Sequence, residues 1–373
     1  YENQTDNYKQ DHYQLLWNQK YDDNWSSNFA LHYTYGRGYY EEFEQDASLE
    51  EFGLSPFMAE GDLVTNSDLV GTKWLDNHFY GTTYSLNYEE DTWDVTLGGG
   101  WNRYIGDHFG EVIYTRFARN NEPYEPYYEN VAYKNDFNIY GKTNFAINEK
   151  LAAYIDLQYR RVTYETEGVL SNQNEFLVDD EMNFFNPKTG LTYKFDDRNR
   201  LYASFARAHR EPSRRDYENG NPEPEELNDY ELGWRFNSSR VKLNTNLYFM
   251  DYRNQLVLTG GIDEVGSFVR ENSGKSYRLG LEIDATINLA EKFVVRPNLA
   301  WSRNQNIDFV STWDGELVDF GNTEISYSPS VVAGNIFTYL PTPDWNISLL
   351  SKYVSSQYMS RSEERRVGKE CER

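Results

Sequence analysis

Imidazole, thiol, carboxylate and hydroxyl side chains carry most protein chemistry, and in this sequence they fall into no catalytic pattern. His12, His32, His78, His108 and His209 lack the close spacing that gathers ligands around a metal, and no Asp-x-Asp calcium loop is present. There is no Gly-x-Ser-x-Gly, no phosphate-binding loop and no His-Glu-x-x-His, so neither an enzyme nor a metal or cofactor site is expected. The lone Cys371 sits in the terminal run SRSEERRVGKECER, which leaves no thiol pair. Binding chemistry remains. Arg210, Arg214 and Arg215 offer guanidinium groups suited to carboxylates and phosphates, although nearby acids compete for them. Tyr124, Tyr127 and Tyr128 in NNEPYEPYYEN and Trp313 in STWDGE offer rings that could stack on a ligand or pack a loop.

The elements that must position these groups are strands. Between Leu227 and Leu256, Tyr230, Leu232, Trp234 and Phe236 alternate with Asp229, Glu231 and Arg235. The pattern restarts after Asn237, Ser238, Ser239 and Arg240, with Val241, Leu243, Thr245, Leu247 and Phe249 opposite Lys242, Asn244, Asn246 and Tyr248. A period of two with one uncharged face predicts a β-hairpin of about ten residues per arm, enough for a tilted strand to cross a bilayer.

Composition points the same way. Mean hydropathy is −0.82, yet aromatic residues reach 17% of 373 residues, with 32 Tyr and 9 Trp. Half-polar strands with interfacial aromatic belts combine these properties, whereas a disordered chain would lack the rings. No apolar run is long enough for a membrane helix. A net charge of −24 argues against nucleic acid as a partner and for a solvated acidic surface.

Alternating segments recur along the chain, and about fourteen strands are predicted, joined in turn by tight turns and by connections of roughly fifteen to forty residues. Tight turns fall at Tyr21 to Asn24, Glu89 to Asp91, Asn148 to Lys150, Asp196 to Asn199, Asn237 to Arg240, Ala290 to Lys292 and Pro341 to Asp344. Gly36 to about Asn77, Ile105 to about Asn130 and Arg161 to Met182 are predicted as long loops. Trp25, Trp93 and Trp345 lie beside tight turns, and Tyr35, Trp101 and Trp301 beside long loops, giving two aromatic rows. Pro187 and Pro297 fall on strand positions, where each is expected to mark a bulge or a strand end.

The segment from Leu201 to Leu258 resembles the late-barrel signature of TonB-dependent outer-membrane receptors. Arg210, Pro212 and Ser213 match its Arg-x-Pro-Ser, Pro224 and Glu225 its Pro-Glu pair, and Tyr230, Glu231 and Gly233 its Tyr-Glu-x-Gly. Gly280 and Glu282 in YRLGLEID, SPSVVAGN and YVSSQYM fit as well. Glu223 departs from the pattern, which usually has a basic residue there. Aromatic-rich strands and WLDNHFYGTTYSLNY resemble Bacteroidetes-type members.

The resemblance implies an all-β, transmembrane antiparallel β-barrel of about twenty-two strands with long extracellular loops and short periplasmic turns. About fourteen of these are expected here, in residues 1–359, with the plug, the TonB box and the terminal strands absent and residues 360–373 a non-native tail. It implies a receptor in the outer membrane of a Gram-negative bacterium that imports a scarce ligand, most often a ferric siderophore or other metal chelate. Energy would come from the TonB-ExbB-ExbD complex through the missing plug, and lipid would surround the barrel. Glu231 and Glu282 are expected in the lumen, bonded to plug or neighbouring strands. Arg210, Arg214, Tyr124, Tyr127, Tyr128 and Trp313 are the candidate ligand contacts. A passive porin, an outer-membrane barrel enzyme and a soluble glycan-binding β-protein are the alternatives.

Overall fold

The computed structural model describes residues 5–59, 61–117, 126–262, 268–313, 316–358 and 366–367. Fifteen strands form one antiparallel sheet; one of them, Glu316–Glu324, lies off its path, and the other fourteen follow the path in order of sequence. These are β1 (Asp6–Lys20), β2 (Trp25–Ser48), β3 (Asn66–Glu90), β4 (Trp93–Thr115), β5 (Pro126–Ala146), β6 (Leu151–Gly168) and β7 (Val178–Lys194). Then come β8 (Asn199–Arg210), β9 (Glu225–Asn237), β10 (Val241–Arg253), β11 (Lys275–Ala290), β12 (Phe293–Trp313), β13 (Val331–Tyr339) and β14 (Ile347–Val354). A single-turn helix, α1 (Arg214–Glu218), interrupts the β8–β9 connection. The chain divides into two compact units: Tyr1–Glu89 with Thr96–Tyr140 and Tyr159–Phe184, and Glu90–Val95 with Gly141–Gln158 and Phe185–Arg373.

In the second unit the expected hairpin is β9–β10, and its turn is closed by a side chain: Ser238 Oγ accepts the Val241 N–H at 3.0 Å. Asp196 does the same for Arg198 and Asn199, and Asn148 for Lys150 and Leu151. Such short polar residues replace missing ladder bonds at the turn. Register then sorts the faces. Leu191, Ala203, Leu232, Leu247, Leu281, Trp301 and Val331 lie in one row from β7 to β13. The adjacent row on the other face is Thr192, Tyr202, Gly233, Asn246, Glu282, Ala300 and Val332. The uncharged face is the exposed one, with Leu232 at 55% and Leu247 at 47%, the reverse of a water-soluble sheet.

Both prolines lie inside their strands, not at strand ends. Pairing of β7 with β8 stops at Lys188↔Ala206, next to Pro187, while β7 itself runs back to Val178. The β11–β12 ladder lacks pairs between Asp284↔Asn298 and Ile287↔Val295 but resumes in the same register, and Pro297 stays paired with Asn335 of β13, so no bulge marks it, against expectation. A proline has no N–H to give to a ladder, which accounts for the missing pairs.

In the first unit the long loops are mostly strand, which corrects the expectation. The β2–β3 ladder continues through Gly36↔Asn77 to Ser48↔Asn66, so β2 is 24 and β3 25 residues long, far beyond the nine to eleven or so needed to cross a bilayer. Strands β4 and β5 likewise extend into the second long segment, and β6 and β7 into the third. Alternation does not stop in these extensions; it changes phase. Along β6, Leu157 and Tyr159 are exposed, and so are Arg161, Glu165 and Glu167 on the same face. The opposite face, polar at Asp156 and Gln158, becomes Val162 and Tyr164, and Val162 packs in a buried cluster with Met182 and Phe184 of β7.

Candidate functional site

The two short signatures of the second unit meet on the polar face. Gly233↔Asn246↔Glu282 form one row and Glu231↔Tyr248↔Gly280 the next, so Tyr-Glu-x-Gly of β9 and Gly-x-Glu of β11 flank β10 in opposite senses. Each glycine receives a ring: a Cβ on Gly233 would meet Tyr202 Cε1 at 2.0 Å, and one on Gly280 would meet Tyr248 Cζ at 2.4 Å. Tyr202 donates to Asn246 Oδ1 at 3.0 Å, and Asn246 in turn donates to Glu231 Oε1 at 3.3 Å. Ser204 also donates to Glu231, at 3.4 Å. Glu282 makes no hydrogen bond or ion pair among the described residues, and it borders a hollow of about 550 Å³ with Tyr202, Arg235, Asn246, Asp284 and Asn298. A carboxylate held on a strand beside an open hollow of mixed lining, apolar at Ile283, Leu299 and Val332, can accept from a cationic or hydroxyl donor.

The longer signature lies at the long-connection end of β8 and β9. Arg210 and Glu225 are the last ladder pair of these strands, joined at 2.9 Å through Arg210 Nε. Glu225 is buried and its second oxygen accepts the Leu256 N–H at 2.6 Å. Burial pushes its carboxyl above the usual glutamate range, with Arg210 and the Leu256 N–H acting in the opposite direction. Pro212 is buried, and Ser213 caps α1 in a reciprocal box with Asp216. Arg214 pairs with Glu218 at 2.6 Å. Both arginines put forward as ligand contacts are therefore engaged by acids of their own loop.

Two of the four aromatic candidates, Tyr127 and Tyr128, are placed away from an open stacking face, at 8% and 9% exposed. Tyr127 packs on Phe52 at 4.9 Å, Tyr128 meets Tyr127 edge-on at 5.0 Å, and Gln173 donates to the Tyr127 carbonyl at 2.8 Å. Burial raises the Tyr127 phenol. Tyr124 lies outside the described residues, and Trp313 is placed as the last residue of β12 without a described side chain. Among the described residues no group of three or more His, Cys, Asp or Glu is arranged to hold a metal.

The sequence matches the family model for the TonB dependent receptor-like β-barrel over residues 1–369. The chain belongs to that family. Its fold class is therefore the transmembrane antiparallel β-barrel expected from the strand pattern, and the family is one of transport receptors whose members sit in Gram-negative outer membranes. No curated protein matches the receptor sequence. Among solved structures it is similar to the ferric-catecholate import receptor Fiu from E. coli K12, at 14% identity and TM-score 0.62, covering 95% of this chain and 55% of that one. It is likewise similar to the siderophore receptor PiuA from Acinetobacter baumannii, at 15% identity and TM-score 0.65, covering 95% and 56%. The copper transporter OprC gives 14% and 0.68, covering 95% and 53%. The receptor chain thus spans about half the length of these structures, and the likeness is one of fold.

Several residues that build the receptor's long-connection end escape sequence reasoning. Asp216 was not singled out, although Ser-x-x-Asp is capping-box spacing and is the signal that could have found it. Arg270 and Asn272, which reach α1 and Glu223, carry no local signal because their partners lie 54 and 49 residues away.

Proposed function

We propose that this chain supplies barrel strands of an outer-membrane receptor that captures a scarce ligand at the cell surface and imports it with energy from TonB. The observation that carries this is the signature patch of Glu231, Gly233, Gly280 and Glu282, assembled on the polar face of a barrel of this family. We assign Glu231 and Glu282 to contacts across the lumen, including the plug through which TonB-ExbB-ExbD would act. Residues 1–359 are the barrel in this proposal and 360–373 a non-native tail. A ferric siderophore or other metal chelate is the cargo favoured by the roles of Fiu and PiuA, a ferric-catecholate import receptor and a siderophore receptor. Arg210, Arg214, Tyr124 and Trp313 are the proposed ligand contacts, the arginines by exchanging their present acid partners for cargo.

The test is uptake of ⁵⁵Fe-labelled siderophores by cells that produce the full-length receptor, with and without an intact TonB system. Accumulation that disappears with TonB supports import. Accumulation indifferent to TonB would identify a passive porin instead, and no accumulation with any chelate would remove the iron assignment.

A further inference from the structure

At the tight-turn end of β8, β9 and β10 the polar face reverses its charge. Register puts Lys194, Arg200, Arg235, Asn244 and Asp284 in one row from β7 to β11. In the next row towards the turns, the Asn237 N–H donates to the Arg198 carbonyl, and Asn237 stands opposite Lys242. Arg200 and Arg235 therefore face each other directly, with Arg198 and Lys242 one row below. Like charges set opposite one another across a ladder are destabilising, so four cations gathered in a chain of net charge −24 call for a compensating anion.

The acids nearby do not supply it. Asp197 pairs with Lys194 at 2.7 Å. Asp196 is taken up by the turn, where Oδ1 accepts the Arg198 and Asn199 N–H groups at 2.7 and 2.8 Å and both oxygens accept from the Asn199 side chain. Asp284 lies two strands from Arg235, with Asn244 between them, about 10 Å away at ordinary strand spacing. Arg235 rests over the Tyr202 ring at 4.9 Å, which holds the guanidinium in place without neutralising it. Among the described residues none of the four cations forms an ion pair, and all four are exposed. With Asp197 and Asn244 they border a hollow of about 290 Å³. The wall is thus zoned, with the Glu231 and Glu282 carboxylates in the rows above and guanidinium and ammonium groups below.

We propose that this hollow is an anion site at the periplasmic end of the lumen, taking a compact solute that carries two or more carboxylate or phosphate groups. Arg200 and Arg235 reach it from adjacent strands, and their planar forks each suit a pair of oxygens. Lys242 and Arg198 add charge from the turn side. A single carboxylate would leave most of this charge uncompensated, so the site selects for multivalence. A cleft lined by one sign of charge concentrates counter-ions, while the acids in the rows above repel the same solute, so an anion on this wall settles at its lower end. The inference rests on the import reading for the direction of the barrel and on no particular cargo.

The experiment is isothermal titration calorimetry of inorganic pyrophosphate and citrate into the full-length receptor in a non-ionic detergent at low salt. Saturable binding is expected, with acetate at equal ionic strength roughly tenfold weaker or worse. Arg200→Gln and Lys242→Gln should each weaken pyrophosphate roughly fivefold or more, and added salt should weaken it further. Lys292→Gln removes the same charge at the same end but outside the hollow, where Lys292 donates to the Pro341 carbonyl, and should leave the affinity unchanged. No saturable binding to the full-length receptor would overturn the site, because another part of the receptor would then fill the hollow. Equal weakening in all three variants would overturn it too, since binding would follow net charge alone. Should Arg200→Gln fail to assemble, the contrast between Lys242→Gln and Lys292→Gln decides. Binding is read without transport, so a failure of iron uptake leaves this result standing, and a failure here leaves the uptake result standing.

Discussion

Tyr202 and Gly233 show why the family signature needs its particular residues. The Tyr202 ring occupies the space that any side chain at 233 would fill, which lets its hydroxyl reach Asn246 and leaves its face under the Arg235 guanidinium at 4.9 Å. Gly280 does the same for Tyr248. The glycines are there for close approach, not for flexibility, and Glu231 and Glu282 stay aimed from the polar face because the rings between them are locked. Replacing Gly233 with alanine must push Tyr202 out of its seat. Overpacking of this kind costs about 1–3 kcal/mol, and Gly233→Ala is expected to lower the yield of heat-modifiable barrel in outer membranes. Tyr202→Ala in the same chain should restore most of it; a normal yield from Gly233→Ala alone would show that the ring is not held as tightly as described.

At the scale of elements, β9 and β10 were legible because two signals coincide in them: a two-residue period with one uncharged face, and turn residues whose side chains take over the missing ladder bonds. The strand extensions of β2 to β7 were not legible, and the reason is visible in β6. Up to Tyr159 the odd residues are apolar, but from Arg161 they are polar or charged while Val162 and Tyr164 turn buried on the other side. A face that meets lipid lower down meets water above it, so hydropathy inverts without any break in the ladder, and a search for one continuous pattern ends there. Arginine stands two residues beyond the last such aromatic in several strands, as in Tyr35 and Arg37, Trp101 and Arg103, and Trp301 and Arg303. The candidate site was legible in part. Short motifs named Glu231, Gly233, Gly280 and Glu282, while the partners of Asp216 and Glu223 depend on chain pairing that no local pattern reveals. The face assignment is testable on two residues of β10. Leu247→Arg puts a cation on the lipid face at a cost of about 2–4 kcal/mol near mid-bilayer, and it should sharply reduce assembled barrel. Asn244→Arg, three residues away on the polar face at an exposed position, should assemble at near-parental yield. Equal yields from the two variants would mean that the faces are misassigned.

At the scale of the whole molecule, a mean hydropathy of −0.82 and a net charge of −24 look like the numbers of a water-soluble protein. The placement of the apolar residues says otherwise, since Leu15, Trp17, Leu97, Leu191, Leu232, Trp301 and Leu349 are all among the exposed side chains. Charge is concentrated on the polar face and in the extensions, so averages over the chain hide the uncharged rows on the other face, such as the one from β7 to β13. Such rows have no stable state in water: their strands would expose them, or associate through them, and nothing in the ladder itself supplies the missing driving force. In lipid or detergent the same rows are solvated, and backbone groups within each strand are satisfied by neighbours. The receptor unfolded in urea is therefore expected to recover β-structure and heat-modifiable migration only when micelles are present at dilution, and to precipitate or remain unfolded in plain buffer. Far-ultraviolet circular dichroism with a cold-versus-boiled gel reads both outcomes. Recovery of a monomeric, protease-resistant β-protein without detergent would mean that these rows pack against protein, as in a soluble glycan-binding fold.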